Sequence, residues 1–311
     1  MCIACTRAER CFDPIEVIDF LSEETSDFGV SCVGSRGMAG ALSTSMLELS
    51  EPSGEKLKSA ILRMGGNPML LGNALRGAGS IAAFLELHIE QGRVLENEGD
   101  AIGVVSGIVG ISQYKLSIVG QADHAGTTPM NLRRDAMVCA AYLINNVHEA
   151  ASLTSQSDDS FVATVGKVNV FPNASNSIPE IVEMELEIRG KDYNKVQEFV
   201  SSVMTRFKSK AMDMGVSVTV ENCGEKEPVF FDANIMGAIE KSTNDLGLSS
   251  ARLFSGAGHD AAYMANLAPV GMIFVPCQSG RSHCPEESIT PEQAEAGCLV
   301  LKGSLKEIDA S

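Results

Sequence analysis

The 311-residue chain carries 24 Lys and Arg against 40 Asp and Glu, a formal net charge of −16, which excludes the basic face that nucleic acid or an anionic membrane surface would require. Its composition, 44% hydrophobic and 21% charged, is that of an ordinary globular protein long enough for two domains. No apolar stretch reaches the ~18 residues of a membrane span and no basic-then-apolar leader opens the sequence, so a cytosolic protein is expected.

In chain order, residues 15–21 read as a strand, followed by a Gly/Ser-rich loop over 29–40 and a helical region from 53 to about 78. A strand over 81–90 returns to the same sheet. Residues 111–119 are strand-like, 132–151 place Ala136, Ala140, Leu143, Ile144 and Val147 at helical spacing, and 161–171 read as another strand. In 181–189, Val182, Met184, Leu186 and Ile188 alternate with Glu183, Glu185, Glu187 and Arg189, the pattern of a strand with one buried and one open face. A helix over 191–214 and a strand over 216–220 complete a β-α-β-β-α-β order, so 108–222 reads as an inserted domain with an exposed sheet edge available for pairing. A helix over 232–246, a polar turn at 255–260, a strand over 270–275 and a closing helix from Pro291 follow. The expected division is 1–107 and 223–311 for one α/β domain, doubly wound around a mostly parallel sheet, and 108–222 for the insertion.

The nine cysteines are odd in number and scattered, which fits reduced thiols better than a disulfide framework. Cys2 and Cys5 have the spacing of half a metal knuckle, but no second pair follows and the coincidence reads as chance; Cys11 adds nothing to it.

Three apolar runs end in residues with metal or proton chemistry. Glu23 and Glu24 close the first, His88 closes the second, and His283 follows the third, in an open α/β sheet whose ligands lie beyond strand ends. Imidazole with carboxylate suits a divalent transition metal, and adjacent carboxylates allow one to ligate while the other acts as general base. Taken singly, Glu23–Glu24 also fits an acidic loop and His88 a structural histidine. His124, inside the loop 120–129, fits a surface histidine or an oxyanion donor. Asn173 and Asn176 fit turn formers or ligand contacts, and Arg189 a solvated charge or a carboxylate fork. Residues 256–260 fit a helix start that receives an anion, or a cap made by His259 and Asp260.

The runs HIEQG (88–92), HAGTTPM (124–130), NASNSIP (173–179), SGAGHD (255–260), MIFVP (272–276) and SHCPEE (282–287) together closely resemble the allantoate amidohydrolase and N-carbamoyl-L-amino-acid hydrolase group, within the co-catalytic metallopeptidase clan that includes the aminoacylases. The resemblance runs from about residue 15 to the C-terminus. It implies a catalytic domain interrupted by a βαββαβ lid and dimerisation domain, and a homodimeric hydrolase with two divalent ions, Zn2+ or Mn2+, per subunit. The substrate it implies is a small carboxylate-bearing ureido or N-carbamoyl amide such as allantoate, an N-carbamoyl-L-amino acid or ureidopropionate. By the same resemblance Glu23 is the general base, Glu24 and His283 ligate one metal, and His88 ligates the other. His124 reaches across the dimer, and Gln91, Asn173, Arg189 and the Gly256 and Ala257 backbone bind substrate, with Arg189 gripping the carboxylate.

One departure bears on this reading. The resembling group carries a His ligand and a metal-bridging Asp ahead of the segment matching 15–21, whereas no histidine precedes His88 here and residues 1–13 resemble nothing in the group. An incomplete metal set, an N-terminally incomplete sheet with uncovered apolar faces, and poor solubility are therefore expected of a fragment. The alternative is a degenerate, non-catalytic dimerising paralogue.

Overall fold

The computed structural model describes residues 14–310. Cys2, Cys5 and Cys11 lie outside the described residues. The chain forms two compact units, one made of the residues up to Ile108 together with those from Val229 onward, the other of Val109–Pro228.

The first unit begins with four short helices, α1 (Val33–Met38), α2 (Thr44–Leu47), α3 (Leu57–Arg63) and α4 (Leu71–Ala74), followed by β1 (Phe84–Ile89), α5 (Val94–Glu98) and β2 (Ile102–Ile108). The intervening second unit contributes β3 (Gly110–Val119), α6 (Ala136–Ser155), β4 (Val162–Phe171), β5 (Ile181–Gly190), α7 (Tyr193–Asp213) and β6 (Ser217–Lys226). The first unit resumes with β7 (Val229–Phe230), α8 (Ala233–Asp245), β8 (Ser250–Ser255), α9 (Ala261–Met264), β9 (Val270–Val275) and α10 (Pro291–Asp309).

In the first unit β1 runs parallel to β9 and β2 parallel to β8, along full-length ladders. The two pairs meet through a short antiparallel ladder between β2 and β9, and β7 adds a short antiparallel contact at Gly107 and Ile108. All six residues of β9 are buried, as a continuous apolar run between two covered faces should be. Ile273 and Val275 point to one face, where Ile235 and Ile239 of α8 and Val300 and Leu301 of α10 cover them. Val270, Met272 and Phe274 point to the other, against Ala261 and Met264 of α9 and against Leu267. α10 starts sharply because Pro291 occupies its first turn and Thr290 and Gln293 form a reciprocal capping box.

The second unit is a four-stranded antiparallel sheet in the order β4-β5-β3-β6, reached in the chain order β-α-β-β-α-β. Val182, Met184, Leu186 and Ile188 of β5 are buried against α6 and α7, while Glu183 and Glu185 stay exposed. Burying each such side chain contributes about 1.5–3 kcal/mol. Asp135 and Asp192 cap α6 and α7 by accepting two backbone N–H bonds each.

Several sequence expectations need correction. Residues 15–20 have no regular structure and lead into a turn; Ile15 and Val17 are 42% and 54% exposed, and no strand pairs with them among the described residues. The helical region over 53–78 is broken into α3 and α4 at Gly65, Gly66 and Pro68. β2 and β8 were not anticipated.

Candidate metal centre

Glu23 is held by backbone pairing rather than by a strand. The amides of Cys32, Val33 and Gly34, at the start of α1, donate to the carbonyls of Glu23, Ser22 and Leu21 at 2.9, 3.1 and 2.9 Å. These are N–H groups that a helix leaves without internal partners. Residue 34 must be glycine for this approach, since a Cβ there would lie 2.7 Å from the Leu21 nitrogen.

His88 lies near the carboxyl end of β1. Its Nδ1 is 2.8 Å from the Ile89 carbonyl oxygen, which can only accept, so Nδ1 carries the proton and Nε2 keeps its lone pair. The His259 ring, 1% exposed, meets it edge to face with ring centroids 4.5 Å apart. His259 reaches Glu23 Oε1 through Nδ1 at 3.3 Å and Ser255 Oγ through Nε2 at 2.8 Å. Donor atoms of Glu23, His88 and His259 all lie within 4.8 Å of one another. Donors sharing one ion at ~2 Å stand roughly 3–4 Å apart; both His259 nitrogens already face partners, Glu23 and Ser255, so His88 Nε2 is the imidazole nitrogen of this group that can ligate a divalent ion beside the Glu23 carboxylate.

Glu24 turns to a second, more exposed set of partners. Its Oε2 lies 3.1 Å from His283 Nε2, while Gln91 Nε2 donates to its Oε1 at 3.2 Å and to Ser282 Oγ at 3.0 Å. Both Gln91 and His283 adopt left-handed backbone, with φ of 57°. Glu287 fixes the His283 turn by accepting from Ser282 Oγ at 2.7 Å and from the His283 amide at 3.1 Å. The Ser282 bond, more than any other influence, holds Glu287 below the usual carboxylate range.

Around Glu23 and His88 the charge balance is unusual. Burial pushes the Glu86 carboxyl up to about 8, against the pull of the Ala261 N–H that donates to it at 2.8 Å. Burial likewise raises Asp260 to about 6, opposed by its hydrogen bond from Ser35. Burial lowers His259, outweighing the favourable bond to Glu23, and raises the Cys32 thiol to about 12. Asp260 does not cap α9 with its side chain, contrary to one sequence reading; Glu86 takes the first amide of that helix. Sequence reasoning missed Glu86, although its position two residues before His88 places both on one face of β1. In the sequence His259 fits a helix cap or a stand-in for a missing metal ligand; its burial cannot be inferred, because a polar loop offers no periodicity.

Among the substrate-contact candidates, the Ala257 amide is engaged by Ser255 Oγ at 3.1 Å, and Gly256 precedes it in the loop after β8. In the second unit, His124 Nδ1 accepts the Gly126 N–H at 3.0 Å, which leaves Nε2 protonated in the neutral ring. Its loop is tied to Asn176 and Ser177 through backbone contacts and clamped by Arg133, which donates to the carbonyls of Ala125 and Thr128 at 2.7 and 3.1 Å. Asn173 is exposed with φ of 55°, a turn conformation. Arg189 is half-buried and paired with Glu187 at 2.6 Å. The structure thus brings Glu23 together with His88 and His259, and Glu24 with Gln91 and His283, within one unit; His124, Asn173 and Arg189 lie in the other.

The comparisons with known proteins converge. A family model described as peptidase family M20/M25/M40 matches residues 3–307. The N-carbamoyl-L-amino acid amidohydrolase of Geobacillus stearothermophilus is 40% identical over 288 residues, covering 93% of this chain and 69% of that protein. The allantoate amidohydrolase of Bacillus subtilis strain 168 is 31% identical over 295 residues, covering 94% of this chain and 70% of its own length. A crystal structure of an amidase of the hydantoinase/carbamoylase family from Burkholderia multivorans aligns with a TM-score of 0.83 at 32% identity, over 94% of this chain and 70% of that one. With a family match over nearly the whole sequence and relatives above 30% identity, the chain belongs to the M20/M25/M40 peptidase family.

Proposed function

We propose that this protein is a metal-dependent hydrolase that cleaves a carbon–nitrogen bond other than a peptide bond, in a linear ureido or N-carbamoyl group borne by a small carboxylate. The observation that carries the reading is the meeting of Glu23, His88 and His259 next to the Glu24–His283 pair, in a chain similar to N-carbamoyl-L-amino acid and allantoate amidohydrolases.

In this reading Glu24 and His283 would hold one divalent ion and His88 a second. Zn2+ or Mn2+ bound there would supply Lewis-acid polarisation of the ureido carbonyl and a lower pKa for the attacking water. Glu23 accepts a proton from the attacking water as the water oxygen bonds to the carbonyl carbon, and returns the proton to the nitrogen as the C–N bond breaks. Gln91 fixes the orientation of Glu24 through the hydrogen bond already described. His124 is assigned as an Nε2–H donor to the developing oxyanion, and Arg189 as the partner of the substrate carboxylate in place of Glu187. Asn173 and the Gly256–Ala257 backbone are the remaining proposed substrate contacts.

The same reading makes the protein a cytosolic homodimer that pairs through the second unit. It is supported by β4, an edge strand with Val162, Val168 and Phe171 exposed, and by α6 packed beside it with Met137, Val138 and Ile144 exposed. None of the described helices is long and apolar enough to cross a membrane.

The test is release of amine and ammonia from N-carbamoyl-L-amino acids, allantoate and ureidopropionate by protein loaded with Zn2+ or Mn2+. Hydrolysis of at least one, lost on chelation and restored by metal, is expected. Absence of turnover on all three classes with metal bound would overturn the reading.

A further inference from the structure

We infer that His259 is a positioning residue for the general base, its Nδ1–H donating to the Glu23 carboxylate while Ser255 fixes the tautomer; the inference rests on the function proposed above. His259 is buried, and each ring nitrogen has a defined neighbour: Nδ1 faces Glu23 Oε1 at 3.3 Å and Glu86 Oε1 at 3.8 Å, and Nε2 faces Ser255 Oγ at 2.8 Å. The Ser255 hydroxyl has one proton to give. Its oxygen already receives the Ala257 N–H, and the proton can go to His259 Nε2 at 2.8 Å or to the Ala257 carbonyl at 3.1 Å.

The second choice would leave an Nδ1 lone pair facing the Glu23 carboxylate oxygen at 3.3 Å, a repulsive arrangement. The first places a proton between Nδ1 and Glu23, and a bond to a carboxylate is roughly twice as strong as a neutral one. The ring has no room to escape, since His88 and Phe274 close on it with centroids at 4.5 and 5.7 Å. Glu23 is thereby tethered through one oxygen and its backbone carbonyl, leaving the other oxygen for proton transfer.

The experiment compares His259→Leu, which removes the donor, with His259→Asn, which keeps an N–H near the Nδ1 position. It reads kcat, KM and bound metal in the loaded protein, and imidazole 15N NMR in the metal-free protein. We expect His259→Leu to lower kcat about 10- to 100-fold, as loss of an orienting partner does, with KM and metal content little changed. His259→Asn should recover most of the rate. The NMR spectrum should show Nδ1 protonated and Nε2 unprotonated, with Ser255→Ala shifting that balance; this second variant also serves if His259→Leu does not fold. Loss of metal in His259→Leu would make His259 a ligand instead, and a protonated Nε2, or equal rates for the Asn and Leu variants, would also overturn the inference. If the wild-type protein hydrolysed no ureido compound, the proposed function would fall, while the tautomer would still report whether His259 donates to Glu23.

Discussion

His88 and His259, which are 171 positions apart in sequence, stack edge to face with ring centroids 4.5 Å apart, and Glu23 closes the third side of the space in front of them. One histidine stands on a strand and the other on a loop, so their relative position is set by the packing of α9 and β9 around β1 and not by local structure. That relationship has consequences for metal binding.

Replacing His88 by Ala removes an imidazole whose Nδ1 is already committed to the Ile89 carbonyl and whose Nε2 is the available donor. His88→Ala is expected to bind less Zn2+ or Mn2+ and to weaken the remaining affinity at least 10-fold, read by metal analysis after dialysis. Unchanged metal content would remove His88 from the ligand set.

The buried carboxylate of Asp158 gives the second unit a pH-dependent stability. Burial raises its pKa, but the Ser160 hydroxyl and amide, with Lys191, outweigh burial and leave it below the ordinary value. A depressed folded-state pKa stabilises the protein above the unfolded value, near 3.9, and the contribution is lost as pH falls through the folded value. Asp158→Asn should therefore cost about 1–3 kcal/mol at pH 7 and progressively less below about pH 4. Three of the four tyrosines, Tyr114, Tyr142 and Tyr193, lie in this unit and the chain has no tryptophan, so tyrosine fluorescence during denaturation reports it. A pH-independent difference would contradict the assignment.

Pairing of two chains through the β4 edge predicts a dimer in sedimentation at micromolar concentration. Val168 is 43% exposed on that strand, and Val168→Lys, which places a charge where edge strands commonly carry one to prevent pairing, should shift the equilibrium to monomer with the fold retained. A wild-type monomer with full activity would rule out the dimeric reading.

Much of this architecture was legible from periodicity. The two-residue alternation in β5 and the unbroken apolar run in β9 report directly which faces are covered, and both appear as read. Residues 15–20 show the limit of the same signal: an apolar run specifies a strand only when a neighbour takes its backbone hydrogen bonds, and none of the described residues does so here. β2 escaped notice because Gly103 and Gly107 interrupt its apolar run, and β8 because Ser250, Arg252 and Ser255 dilute a six-residue segment. At the site, Glu23, Glu24, His88 and His283 stand out as chemistry-bearing residues after apolar runs. The partnership of Glu23 with His259, and the half-buried Glu86 and buried Asp260 beside it, depend on tertiary packing that no local pattern encodes.

The division of roles between Glu23 and Glu24 is the centre of the account, because adjacent carboxylates turn to different histidines, Glu23 to His259 and Glu24 to His283. The most direct measurement is bound metal and kcat on a hydrolysed ureido substrate for Glu23→Gln and Glu24→Gln side by side. Glu23→Gln should keep its metal and lose at least about 100-fold in kcat, the range expected for removal of a general base, whereas Glu24→Gln should lose metal. Metal loss in Glu23→Gln with retention in Glu24→Gln, or wild-type turnover by Glu23→Gln, would contradict it.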